Sequence, residues 1–274
     1  MTQIVGHEHQ KSLFVYFLLT FAFSWGIWIP MAVLRLESPW YKFGAFAPTI
    51  MALVLIWIQK GGQGIKNILQ KLLIWRVSIG WYLFSFFAAL PIVLLSIWIH
   101  VRLGGTKPAF NDLSQIYLAI PAFLYVLFTS VLGEEIGWRG YALPRLLQGY
   151  NALKSSLILG LIWGVWHLPL FWLAGNFHNE VPFLPFMIQV LAASIVYTWM
   201  FVNTEGSLLF PHLFHAASNT TLGVLPILPM DTGGALRPMW TAVVLWSLVS
   251  ILITILTGPD LKNTNQKRPG VSTK

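Results

Sequence analysis

Long apolar runs recur along the whole chain, and they restrict it to a fold that is solvated by a lipid bilayer. About 20 apolar residues cross a bilayer as an α-helix. Eight runs approach this length, at 12–34, 43–58, 79–101, 117–133, 155–173, 183–202, 206–225 and 239–256. Only 9% of the 274 residues are charged, whereas a soluble domain carries about 25%. The sequence therefore predicts an all-α membrane protein with about eight transmembrane helices.

The basic residues between the runs predict the orientation. Of the 17 Lys and Arg, 12 lie on the cytoplasmic side if the N-terminus is inside. The other five lie outside: Arg35, Lys42, Arg102, Lys107 and Arg237. Because cytoplasmic loops carry the excess of Lys and Arg, both termini are expected inside. The net charge of +8 then reflects topology and contact with anionic lipid rather than nucleic-acid binding.

One membrane domain is expected, over residues 12–257. Residues 1–11 form a cytoplasmic segment, and the run that follows is too long for a signal-peptide core, so it is read as a retained span. Residues 65–77 are basic and amphipathic and are expected to lie on the cytoplasmic face, and residues 258–274 form a flexible cytoplasmic tail. The chain has no Cys, which excludes thiolate zinc sites and a cysteine nucleophile. In a bacterial cell its membrane would be the plasma membrane.

Two adjacent acids, Glu134 and Glu135, end the fourth run. A carboxylate at membrane depth is costly and indicates function by default. Glu135 and Arg139 have the i,i+4 spacing and the order of a favourable ion pair. We therefore expect Arg139 to neutralise Glu135 and Glu134 to face the bundle as a general base. An ordinary interfacial charge cluster also explains these three residues taken alone.

Two further runs carry polar side chains. His167 lies one turn after Trp163 in the fifth run, and His215 and Asn219 share a face of the seventh. His212 lies near the same stripe, with no role assigned. Hydrogen bonding between helices would explain each patch alone. Because polar groups in lipid turn inward, the three patches are expected to meet in one intramembrane cavity.

These patches resemble the three motifs of the CPBP family, the CAAX proteases and bacteriocin-processing enzymes also called Abi. The family motifs E-E-x-x-x-R, F-x-x-x-H and H-x-x-x-N read here EEIGWR (134–139), WGVWH (163–167) and HAASN (215–219). The resemblance covers about residues 115–225. Trp163 replaces the family's Phe, and an aromatic packing role is expected to survive that change.

The resemblance implies an intramembrane endopeptidase that opens toward the cytosol and performs CAAX-type prenyl-protein processing or related peptide processing. By motif position, Glu134 activates a water that His167 helps to hold, while His215 and Asn219 donate hydrogen bonds to the oxyanion. Three motif residues would support these groups: Glu135, Arg139 and Trp163. A peptide or lipidated-protein substrate would enter from the cytoplasmic side, among membrane lipids.

A metal ion is left open by the sequence. Glu134, His167 and His215 would be the ligands of a Zn²⁺ with an open water position. However, the chain lacks H-E-x-x-H, which places two ligands on one helix, and Asn is a better oxyanion donor than zinc ligand. We therefore favour direct glutamate catalysis and predict no cofactor firmly.

Two other classes of function compete with the protease. One is a bacteriocin immunity or interaction protein, although a scaffold has no evident need for four motif groups. The other is a proton-coupled transporter, since buried Glu and His also build proton relays. Neither an inverted repeat nor paired broken helices are found in the sequence. The physiological substrate and the oligomeric state are not specified.

Overall fold

A computed structural model describes residues 2–108 and 117–263, with side chains from residue 11 onward. Its regular elements are helical throughout these ranges. The main helices are α1 (Thr2–Val33), α2 (Ala47–Leu69), α3 (Ile79–Phe87), α4 (Ala89–Arg102), α5 (Ala119–Leu146), α6 (Ala152–Trp166), α7 (Phe183–Asn203), α8 (Leu209–Val224) and α9 (Arg237–Thr257). Short helical turns lie between them at Pro39–Tyr41, Lys42–Ala45, Gln70–Leu73, Leu168–Trp172, Phe177–Glu180 and Pro229–Thr232.

Six segments within the described ranges are long and apolar enough to cross a membrane: Lys11–Val33, Ile79–Arg102, Ala119–Leu146, Ala152–Trp172, Phe183–Asn203 and Arg237–Thr257. A seventh is counted if Pro39–Ala45 and Ala47–Leu73, which meet at a bend of 41°, form one span. The prediction of a multi-pass helical membrane protein is confirmed. The count of eight is not confirmed, because residues 206–225 form only the 16-residue helix α8, which is shorter than a bilayer requires.

Helix α5 extends well beyond the predicted end of the fourth span at residue 133. It continues to Leu146 because Glu135 and Arg139 are both fully buried and paired at 2.9 Å, so the charges do not end the helix. Two π-helical turns, Leu127–Val131 and Ile136–Ala142, flank the motif glutamates. Such turns are rare and are frequent at functional sites. The glutamates therefore lie inside a long helix rather than at the end of a span, where the sequence placed them.

Helix α2 is broken at Gly61, whose φ of 58° is a conformation that glycine adopts without steric cost. The chain beyond this break stays helical as far as Leu73. It contains most of the basic amphipathic segment predicted at 65–77, and it ends four residues before the predicted boundary.

The first residues of the predicted tail are held against the bundle. The Leu153 amide donates to the Pro259 carbonyl at 2.9 Å, so the start of α6 meets the end of α9. Asn203, the last residue of α7, donates to the Leu261 carbonyl at 2.7 Å and accepts from the Asn263 amide at 2.9 Å. Residues 264–274, the remainder of the predicted tail, lie outside the described residues.

Gly137 allows α5 to approach the start of α2 closely. A methyl group at this position would collide with the Pro48 carbonyl and the Tyr16 hydroxyl. We predict that Gly137→Ala lowers the melting temperature of the detergent-solubilised protein by several degrees, since overpacking costs about 1–3 kcal/mol. Gly26→Ala is the control, because its methyl meets no atom within 4 Å and Ala favours the helix. Equal melting of the two variants would contradict the close approach.

Candidate active site

One cavity of about 400 Å³ brings the four predicted catalytic residues together. Glu134 reaches it from α5, His167 from the end of α6, and His215 and Asn219 from α8. The first three side chains are buried, whereas Asn219 is exposed to the cavity. The polar patches that the sequence predicted on three helices therefore line one shared cavity.

Glu134 is held by two donors. Its Oε2 accepts a hydrogen bond from Trp163 Nε1 at 2.7 Å, and its Oε1 accepts one from Ser130 Oγ at 3.3 Å. The family's Phe has no N–H at the position of Trp163, so an aromatic residue that was expected only to pack also orients the carboxylate. In the described part of the chain, Glu134 forms no ion pair within 4.0 Å.

His167 is oriented by the backbone of the same tryptophan. Its Nδ1 lies 2.7 Å from the Trp163 carbonyl oxygen. Because a carbonyl only accepts, Nδ1 carries the hydrogen, and Nε2 of the neutral ring is left as an acceptor. Trp163 thus binds Glu134 through its side chain and His167 through its main chain.

Glu135 connects α5 to α8. Its Oε1 accepts from Arg139 Nη1 at 2.9 Å and also from His215 Nδ1 at 2.8 Å, although His215 lies 80 residues further along the chain. The predicted ion pair with Arg139 is present, and the bond to His215 adds a link that the sequence did not reveal. A histidine that donates through Nδ1 can donate through Nε2 as well only when it is the imidazolium cation.

Arg139 lies between two aromatic rings. Its guanidinium carbon is 4.3 Å from the centroid of the Trp163 ring and 4.1 Å from that of Tyr197. A planar, weakly hydrated cation suits such a stack. Tyr197, on α7, lines the cavity and was not singled out from the sequence, because a tyrosine in an apolar run carries no motif signal.

His178 is a second cavity residue that sequence reasoning missed. Its ring stacks on His167 with centroids 5.2 Å apart, and its Nδ1 is 2.7 Å from Asn176 Oδ1. Loss of hydration, and then the proximity of His167, hold the pKa of His178 well below its ordinary range, so the ring is neutral at neutral pH. It lies in the connection Phe177–Glu180, where no residue spacing pointed to it.

His212 is buried, and its Nδ1 is 2.6 Å from the Leu208 carbonyl oxygen. The cavity lining contains His215 but not His212. His212 therefore takes part in the helix packing beside the site and not in the cavity wall.

The acids and histidines of the cavity are not grouped as a ready metal centre. Among the described residues, no three His, Asp or Glu side chains lie close enough together to hold a metal ion. Glu134 accepts from Trp163, and the Nδ1 atoms of His167 and His215 are bound to acceptors. The Nε2 atom of each histidine is therefore the ring nitrogen left to face a water, a substrate or an ion.

Comparison with known proteins identifies relatives. The family model of type II CAAX prenyl endopeptidases, Rce1-like, matches residues 116–221, a range that contains all three motifs. A protein named CAAX prenyl protease 2, from Methanococcus maripaludis, is 28% identical over 230 residues, which cover 78% of this chain and 84% of the relative. The family resemblance drawn from the three motifs is confirmed by both findings.

Removing the Glu135 carboxylate is predicted to destabilise the protein. Glu135→Ala leaves Arg139 as an unpaired buried charge, which costs about 3–5 kcal/mol, and it also frees His215. We expect a lower melting temperature in detergent together with loss of any hydrolytic activity. Glu37→Ala, at an exposed position, is the matched control and should melt like the parent protein. An unchanged melting temperature for Glu135→Ala would show that the buried pair does not stabilise the fold.

Proposed function

We propose that this chain, which is similar to CAAX prenyl endopeptidases, cleaves peptide bonds inside the membrane with Glu134 as the general base. The family match and the relative support a peptide hydrolase, and the proposal concerns how it acts and on what. The supporting observation is that Glu134, His167, His215 and Asn219 line one cavity of about 400 Å³. A base, a water-holding group and two oxyanion donors are the parts that peptide hydrolysis requires.

Glu134 and His167 serve the attacking water. Both present acceptors, a carboxylate oxygen and Nε2, so the water donates its two hydrogens to them and directs a lone pair at the substrate carbonyl. As the water oxygen attacks the carbonyl carbon, Glu134 takes one proton. Trp163 supports this step because it fixes both acceptors, at 2.7 Å in each case.

His215 and Asn219 serve the carbonyl oxygen. In the tetrahedral intermediate this oxygen becomes an anion, and donors that are already aimed at it lower the barrier. His215 donates through Nε2–H when its ring carries both protons, and its Nδ1–H is held by the Glu135 carboxylate at 2.8 Å. Asn219 donates through its amide. Arg139 balances the remaining charge of Glu135.

Collapse of the intermediate completes the reaction. The bond between the carbonyl carbon and the nitrogen breaks, and Glu134 returns its proton to the leaving amine. The products are a new amine and a new carboxylic acid, which passes its proton to the amine to give an ammonium and a carboxylate, and Glu134 is regenerated as a carboxylate. The cycle consumes one water and uses only residues of this chain.

The cavity wall indicates the substrate class. Beyond the polar groups it is formed by apolar side chains from four helices, among them Val93, Phe186, Leu222, Val243 and Trp246. A cavity with few polar groups and an apolar wall binds apolar groups next to the reacting atoms. The substrate is therefore a peptide with a bulky apolar group near the scissile bond. A prenylated CAAX sequence, the substrate named for the relative, has this character.

Glu134→Gln is predicted to abolish cleavage without loss of folding. The amide cannot take a proton from water, and the loss of a general base costs about 10²–10⁴-fold in rate. The Gln oxygen still accepts from Trp163 Nε1, so the melting temperature should stay close to that of the parent. The measurement is mass spectrometry of products from a prenylated CAAX peptide and from its unprenylated form. If the variant still hydrolyses the peptide, Glu134 is not the general base.

Two controls separate this mechanism from its alternatives. Glu37→Gln, at an exposed position, should leave the turnover unchanged. Activity should also survive a chelator, with elemental analysis of the same sample. Activity that is lost with the chelator and restored by Zn²⁺ would overturn direct glutamate catalysis. Intact parent protein that cleaves no peptide, while still conferring immunity to a bacteriocin, would favour the interaction protein.

Trp163→Phe is predicted to lower kcat while leaving KM within about twofold. The variant keeps an aromatic ring but loses a hydrogen bond to a carboxylate, which is worth about 1.5–3 kcal/mol, or roughly 10–100-fold in rate. Trp28→Phe is the matched control, because Trp28 is also buried and donates from Nε1, to the Tyr41 carbonyl at 2.7 Å. If both variants lose the same fraction of kcat, Trp163 acts through packing alone.

A further inference from the structure

The two ends of the bundle are defined by contacts between helix termini. At one end, Ser12 Oγ lies 2.6 Å from Tyr141 Oη and accepts from Gln59 Nε2 at 3.0 Å, while Arg145 Nη2 donates to Gln59 Oε1 at 3.4 Å. These contacts join the start of the α1 span, the α2 residues just before the break at Gly61, and the end of α5. We call this the basic end.

The other end is defined in the same way and is called the loop end. Lys42 Nζ lies 4.2 Å from the centroid of the Tyr125 ring, early in α5. Arg237, the first residue of α9, donates to the Leu103 carbonyl just after α4 at 3.0 Å. The connections Phe177–Glu180 and Pro229–Thr232 lie at this end, because each follows or precedes a helix terminus located there.

The cavity reaches the loop end. Its lining includes Phe177, His178 and Val181 from one connection, and Leu228 and Met239 from the segment that joins α8 to α9. Glu134, one of the polar groups of the cavity, also lies nearer to the loop end than to the basic end. Roughly 13 Å of helix separates Tyr125 from Glu134, against about 18 Å between Glu134 and Leu146 at the basic end, at 1.5 Å per residue. The substrate path therefore runs to the loop end.

The charges of the two ends differ. The described Lys and Arg of the basic end are Lys11, Lys60, Lys66, Lys71, Arg76, Arg145, Lys154 and Lys262, whereas those of the loop end are Arg35, Lys42, Arg102, Lys107 and Arg237. Arg139 is left out of this comparison because it is buried in its ion pair. The excess of Lys and Arg marks the cytoplasmic side, so the charge distribution places the basic end in the cytoplasm.

The two sequence expectations about sidedness are therefore incompatible. With both termini inside, the cavity opens away from the cytoplasm, and a cytoplasmic opening would require the basic end to face outward. The first expectation rests on this chain's own charges, and the second rests on the family resemblance. We propose that the cavity opens on the extracytoplasmic side and that the substrate is a peptide segment presented at the outer leaflet, such as an exported peptide or the outer end of a membrane protein.

The substrate part of this proposal rests on the proposed function, but the direction of opening does not. Asn219, the exposed member of the motif set, lies between His215 and the end of α8 at Val224, on the path toward the loop end. A peptide that entered from that end would pass Asn219 before it reached Glu134. The apolar wall beside this path suits a segment that arrives from the lipid of the outer leaflet.

Cysteine accessibility tests the direction of opening. The chain contains no Cys, so single-cysteine variants need no background substitutions. Lys60→Cys reports on the basic end, Glu180→Cys on the loop end, and Gly223→Cys on the cavity; all three positions are exposed. A methyl group at Gly223 meets no atom within 4 Å, and Gly223 lines the cavity. The probe is a membrane-impermeant maleimide applied to right-side-out and inside-out membrane vesicles.

The proposal predicts labelling of Glu180→Cys and Gly223→Cys in right-side-out vesicles, and labelling of Lys60→Cys only in inside-out vesicles. The reverse pattern would overturn it and place the opening in the cytoplasm. Labelling of Glu180→Cys from outside without any labelling of Gly223→Cys would also overturn it, since the cavity would then be closed at that end. Labelling does not depend on turnover, so a failure of the Glu134→Gln prediction would leave this result intact.

Discussion

One carboxylate oxygen holds the centre of this structure together. Glu135 Oε1 accepts from Arg139 on its own helix and from His215 on α8, at 2.9 Å and 2.8 Å. A buried charge is tolerated only when it is paired and hydrogen-bonded, so the three groups depend on one another. The stacking of Arg139 between Trp163 and Tyr197 extends the cluster to α6 and α7. Four helices are thereby fixed around a single carboxylate that lies beside the cavity but does not line it.

The neighbouring glutamates differ because successive residues point about 100° apart around a helix. Glu135 points into the packed side of α5 and is neutralised there by Arg139. Glu134 points into the cavity, where its partners are the neutral donors Trp163 and Ser130. Within the described residues, Glu134 forms no ion pair, so its carboxylate is not held by a cation. The structure thus separates a group that organises the site from a group that is available for chemistry.

The sequence predicted the class of fold from apolar runs, and it predicted that polar residues in those runs meet in one cavity, because lipid forbids them elsewhere. Glu134, His167, His215 and Asn219 do line one cavity. The prediction failed where the answer depends on tertiary pairing. The fourth span was ended at residue 133 since two acids followed, yet the buried pair with Arg139 lets α5 continue to Leu146. The bond from His215 to Glu135 spans 80 residues and has no sequence signature. The hydrogen bonds of Trp163 were also not predicted, because this residue was expected only to pack. His178 was missed because it lies in a connection that carries no motif.

The π-helical turns on either side of the glutamates bear on how this helix can change over generations. Each wide turn holds more residues than an α-helical turn of the same rise. Deleting one residue from Ile136–Ala142 would restore α-helical winding and leave the helix beyond the turn facing almost the same way. A deletion placed between Glu135 and Arg139, however, would change their spacing from four residues to three and move the guanidinium by about 100° around the helix. The effect of a lost residue in this stretch therefore depends on the side of Arg139 on which it falls, even when both side chains of the ion pair are retained.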